Sequence, residues 1–149
     1  ETIKPKFFEN PQIIYPIIAE ISKDLPSNIQ GLLSLLKEIL QYEAMMGRVS
    51  ISGIELRDLT DTFVKCLESP DEEVRKLSIE LLFGLNTSTA ILFLDQMIQD
   101  DDIWNKLKIL EYIENLDHPN IINALEVLSK DEEQMISERA TAILAQKTK

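Results

Sequence analysis

His118 and Cys66 are the sequence's one imidazole and one thiol, so nucleophilic or zinc chemistry would have to begin with them. A Cys–His dyad needs both groups within hydrogen-bond reach, and these two lie far apart in the chain. A Ser–His–Asp triad would have to use His118, and no Gly-x-Ser-x-Gly elbow is present to expose a serine. His118 stands in Leu116-Asp117-His118-Pro119-Asn120, which reads as a turn followed by proline at the first helical position. Cys66 stands in Phe63-Val64-Lys65-Cys66-Leu67, where the apolar spacing is that of a small core residue. A lone cysteine excludes an internal disulfide and any cysteine-cluster zinc site. Glycine-rich phosphate loops and the HExxH zinc helix are missing as well. The chain reads as a non-enzyme with no cofactor and no metal site.

Carboxylates are plentiful: 26 acidic against 15 basic side chains, a net charge of −11. A field of that sign opposes nucleic acid, whose binding depends on Lys and Arg displacing counterions from phosphates, and it opposes anionic membranes too. Both a solvated acidic surface and a surface for a basic partner fit this balance. No apolar run approaches the ~20 residues of a membrane helix, and no signal-peptide core is visible. A single thiol fits a reducing cytoplasm. The chain begins at Glu1, and the expectation is a piece of a longer protein.

The elements that must position these groups are helical. The 149 residues, 44% of them hydrophobic, suit one domain with a sizeable core. The 4 glycines and 6 prolines are few for a β-fold with many tight turns. Apolar residues recur at helical spacing in eight segments. The first, 10–24, carries Ile13, Ile14, Ile17, Ile18 and Ile21, with Pro16 kinking or delaying it. A long helix then runs from Pro26-Ser27 to Met46, closed by Gly47. Residues 48–53 read as a linker, and helices are predicted over 54–68, 71–85, 88–99, 102–116, 119–129 and 132–146. Ile3, Phe7 and Phe8 are expected to cover the first layer.

Three acidic triplets recur in phase with this pattern: Asp71-Glu72-Glu73, Asp100-Asp101-Asp102 and Asp131-Glu132-Glu133, their starts 29 and 31 residues apart. Carboxylates suit helix N-termini, where unpaired N–H groups and the positive end of the dipole await them. Calcium loops need spaced ligands and a glycine turn, and no glycine lies near these triplets. The period of about 30 is that of a repeated helix–turn–helix unit.

At Asp71-Glu-Glu-Val74-Arg75-Lys-Leu-Ser78-Ile-Glu-Leu-Leu82 the chain resembles the second helix of a HEAT repeat. The family pattern there is an acidic turn, Val-Arg, a small residue, and Leu four positions on. Asp131 to Leu144 follows it loosely, with Ile136 at the Val place, Ala140 at the small place and Leu144 at the Leu place, while Ser137 replaces the Arg. In the middle unit either Ile103 or Trp104 stands at the Val place and either Leu107 or Lys108 at the small place. The resemblance covers residues 70–146; residues 1–69 are expected to be diverged repeats or a capping layer. It implies an all-α fold, a right-handed α-α superhelix of antiparallel helix pairs with about eight helices in one domain, 1–149. Armadillo-like stacks and trafficking-type superhelices share the pattern.

Some HEAT-like families are enzymes, but their hydroxylases use repeated His-Glu pairs, which this chain lacks, and their DNA glycosylases use a basic groove. The function expected here is a protein–protein interaction scaffold, with a nucleic-acid-handling or catalytic domain and a structural spacer as alternatives. In such stacks the second helices line the concave face, which makes Arg75, Lys76, Trp104, Lys106, Lys108 and Arg139 the candidate protein-binding residues. Glu80, Glu111 and Glu138 are expected to be exposed beside them. Arg75 also suits a brace for the acidic turn, and Trp104 is either an interface anchor or a core residue.

Overall fold

Serine at position 52 caps the helix that follows the segment read as a linker. In the computed structural model, which describes Pro16 and residues 29–47 and 51–148, Ser52 Oγ accepts from the Glu55 backbone N–H at 3.1 Å. The Ser52 N–H donates back to Glu55 Oε1 at 3.0 Å, a reciprocal box that starts a helix at once. Every regular element among the described residues is helical: α1 (Ile29–Met45), α2 (Gly53–Cys66), α3 (Glu72–Leu85), α4 (Thr87–Leu92), α5 (Leu94–Met97), α6 (Ile103–Ile113), α7 (Pro119–Leu128) and α8 (Gln134–Lys147). The expected helix over 10–24 and the layer formed by Ile3, Phe7 and Phe8 lie outside the described residues, Pro16 apart. Gly47, at φ 69, takes the left-handed conformation that closes α1.

The predicted helix over 88–99 is two short ones. Asn86 caps the first through its side chain, which accepts from the Thr89 N–H, and the chain breaks at Phe93 (φ −99, ψ 13). The break leaves the inward face in register, with Ala90, Leu94 and Met97 all buried.

The chain divides into two units, Glu1–Leu81 and Leu82–Lys149. In the first, Leu33, Leu36 and Ile39 of α1, Leu59 and Phe63 of α2, and Val74 and Leu77 of α3 are buried. Lys37 Nζ ties α1 to α3 through Glu80 Oε1 at 3.0 Å, so Glu80, expected at the surface, is a buried partner only 9% exposed. In the second unit α7 packs along α8, α6 packs on α8, and α4 and α5 pack on α7. Phe83, in the last turn of α3, stacks on Tyr112 of α6 at 4.7 Å between ring centroids.

Burial exposes a strict period. Leu59, Ala90 and Ile121 stand 31 positions apart, as do Phe63, Leu94 and Leu125, and then Cys66, Met97 and Leu128. The second helices repeat it with Val74, Asn105 and Ile136, and with Ser78, Ile109 and Ala140; all fifteen residues are at most 3% exposed. Three hairpins thus use the same positions for their apolar faces. In the middle one the buried places belong to Asn105 and Ile109, where the sequence pattern offers Ile103 or Trp104 and Leu107 or Lys108. In the last, Ile143 is buried and Leu144 only half-buried.

The turns obey the same period. Ser69 Oγ, Asp100 Oδ1 and Asp131 Oδ1 each accept from the backbone N–H two residues on, at 3.2, 2.9 and 2.9 Å. Two positions later, Asp71 Oδ1 accepts from the Glu73 N–H at 2.9 Å, and Asp102 Oδ1 from those of Trp104 and Asn105 at 2.8 and 3.1 Å. Glu133 holds the same place before α8 without a side-chain cap bond. The first acidic triplet is therefore displaced by two residues from the other two, which accounts for its spacing of 29 instead of 31.

Candidate interaction surface

The side chains that could meet a partner in the second unit are set out by two neighbouring second helices. Lys106 Nζ, in the first turn of α6, binds Asp131 Oδ2 in the turn before α8 at 2.6 Å. Arg139 of α8 pairs with Glu114 at the end of α6, and Lys147 Nζ donates to the Leu116 carbonyl oxygen at 2.7 Å. The first contact joins helix starts and the last joins helix ends, so α6 and α8 run in the same direction. Between them in sequence, α7 carries the chain back.

Asp131 is the electrostatic centre of the clasp. Burial at the turn pushes its carboxyl up, but the hydrogen bond from Lys106, that from the Glu133 backbone and the Lys106 charge together outweigh this and hold it below the usual carboxylate range.

The two helices carry equivalent positions 31 residues apart in the sequence. Trp104 is 68% exposed, and Met135, its equivalent 31 residues on, is 51% exposed. One turn along, Lys108 and Arg139 are again equivalent. Lys108 Nζ lies 3.9 Å from Glu111 and 5.8 Å from the Tyr112 ring centroid. Trp104, Lys108 and Arg139 thus share one pair of helices, and Lys106 fastens that pair together. Arg75 and Lys76 belong to the other unit. Arg75 Nη1 donates to the Ser69 carbonyl oxygen at 2.8 Å and so braces its own turn, while Lys76 stands at the surface 3.7 Å from Glu73. Met135 was not among the candidates. Its signal is the 31-residue spacing from Trp104, legible only once the period is known.

The groups that could do chemistry are engaged locally. The His118 side chain caps α7, Nδ1 accepting from the Asn120 N–H at 3.1 Å. Lys147 lies over the carbonyl of Leu116 beside it and 3.5 Å from Asp117. Cys66 is buried, and burial pushes its thiol up more than the Ser78 hydrogen bond and the Lys65 charge bring it down. Among the described residues no three His, Cys, Asp or Glu side chains are grouped to hold a metal ion, and no helix is long and apolar enough to cross a membrane. Compared with known proteins, the chain matches no family, no curated protein and no solved structure.

Proposed function

We propose that this chain is a HEAT-like α-α superhelix, built of antiparallel helix pairs, that works as a non-catalytic scaffold for a protein partner. The 31-residue recurrence of buried positions supports the repeat reading, because hairpins that bury the same faces must be covered by one another. The parallel course of α6 and α8, clasped at both ends, is the arrangement such stacking calls for. A single reduced thiol and an acidic surface suit a cytoplasmic setting.

One observation carries the scaffold reading: a tryptophan and a methionine stand exposed at the same repeat position on adjacent helices, while their neighbours one residue on, Asn105 and Ile136, are buried. Trp is the side chain most often responsible for binding energy at interfaces, since it covers large area at low entropic cost. Affinity capture from native lysate with the wild-type chain and with Trp104→Ala tests this. The expected result is loss of a specific partner with helical circular dichroism unchanged. Identical capture by both proteins refutes it.

A further inference from the structure

α6 and α8 meet through one stripe of each helix. Lys106, Leu110 and Glu114 recur every fourth residue along α6: the first binds Asp131, the last pairs with Arg139, and Leu110 between them is fully buried. The answering stripe on α8 is Arg139, Ile143 and Lys147, with Ile143 buried and Lys147 on the Leu116 carbonyl oxygen. Moved on by 31 positions, the α6 stripe becomes Ser137, Thr141 and Ala145 of α8. These stand two residues before the Arg139 stripe, about 200° around the helix, and so point away from α6. None of the groups by which α6 holds α8 is repeated there: the ammonium becomes a hydroxyl, the leucine a threonine and the carboxylate a methyl. Ile79 of α3, 31 positions before Leu110, is buried like it, whereas Thr141 and Ala145 are exposed.

The hydroxyls of that stripe are satisfied within α8. Ser137 Oγ donates to the Gln134 carbonyl oxygen at 3.1 Å, and Thr141 Oγ1 to that of Ser137 at 2.7 Å. The first helices change in the same sense. Leu67 and Ile98 are buried, while Ser129, next in that register, is half-buried, its Oγ donating to the Glu126 carbonyl oxygen at 2.7 Å. We infer that the outer face of the α7–α8 hairpin is an end cap, on which neither a further hairpin nor a second copy of this chain seats. A repeat series ends in an apolar face unless its last unit turns polar there, and that change keeps the stack soluble. A spacer continuing past α8 would need this stripe apolar. The inference rests on the repeat reading above and adds where the stacking stops.

Substitutions at equivalent places test this. Thr141→Lys should leave the urea midpoint within about 0.3 M of wild type, whereas Leu110→Thr, which copies α8 onto α6, should lower it by about 1–2 M. Thr141→Cys in the full-length protein should react with a soluble maleimide within about tenfold of its rate in denaturant, at every protein concentration. Cys66, being buried, stays unlabelled meanwhile and verifies folding. A midpoint lowered by Thr141→Lys as far as by Leu110→Thr overturns the inference, because the face is then covered. Protection of Thr141→Cys that rises with protein concentration overturns it in favour of a second copy. Protection that is the same at all concentrations overturns it in favour of another segment of the same chain. Each of those results leaves the repeat reading standing. An unchanged midpoint for Leu110→Thr strikes the repeat reading itself, and the end cap falls with it.

Discussion

Breaking the clasp between Lys106 and Asp131 should loosen the last hairpin from the one before it. The two side chains are only 18% and 11% exposed and meet at 2.6 Å, and Asp131 also accepts from the Glu133 N–H at 2.9 Å. Asp131→Asn keeps an acceptor for that N–H but removes the charge that holds the ammonium. A charge-assisted bond in such a setting contributes about 1.5–3 kcal/mol, so a loss of about 2 kcal/mol is expected near neutral pH. Lys106→Met should cost at least as much, because it strands a mostly buried carboxylate. The double variant should lose less than the two single losses combined. With a urea slope of about 2 kcal/mol per molar, the unfolding midpoint of Asp131→Asn falls by about 1 M. The pH dependence follows from the lowered carboxyl of Asp131. A carboxyl that titrates lower when folded contributes fully above its unfolded value, and its contribution fades as pH falls through the folded one. The wild-type and Asp131→Asn stabilities should therefore differ at neutral pH and converge in acid. Equal midpoints at neutral pH, or a difference that persists unchanged into acid, would refute the clasp and with it the side-by-side course of α6 and α8.

Phe63 is fully buried in α2, and Phe63→Ala should cost about 3–5 kcal/mol, read from thermal or urea unfolding. The 31-residue register predicts unequal outcomes at two buried polar sites. Ser78→Ala copies what Ala140 already does and should cost under about 1 kcal/mol, whereas Asn105→Ala removes the amide that donates to Asp100 Oδ2 at 3.1 Å and should cost about 1–3 kcal/mol by the same measurement. Cys66, buried and with its thiol pushed up, should resist an aromatic disulfide reagent in the native protein and react at once in denaturant, followed by absorbance. Rapid native labelling would contradict its placement.

Much of this structure is legible locally. A capping serine, a closing glycine and an apolar face every three or four residues are short-range properties, and they place α1, α2, α3 and α6 to α8 within a few residues of their bounds. The role of Arg75 as a turn brace is legible for the same reason, since its target, Ser69, is only six positions away. The candidate surface was half visible: Trp104, Lys108 and Arg139 stand out by type, while Met135 does not, because an amphipathic helix has many apolar positions and nothing local says which one faces water.

What the chain's own order of residues determined is an all-helical path punctuated by acidic turns. Helix propensity, caps and hydrophobic period act over a single turn, and each can be read without knowing the neighbours. The phase of the repeat is a different matter. Carboxylates at two positions of a turn can make either the turn bond or the helix cap, so a triplet of acids leaves an ambiguity of two residues. Only the burial of Leu59, Ala90 and Ile121 and their companions settles it at 31. Tertiary packing likewise decided that Asn105 goes inward and Trp104 outward, and that Glu80 is buried with Lys37. Adjacent positions on a helix differ in facing by about a hundred degrees, and which of the two meets a neighbouring helix depends on where that neighbour lies.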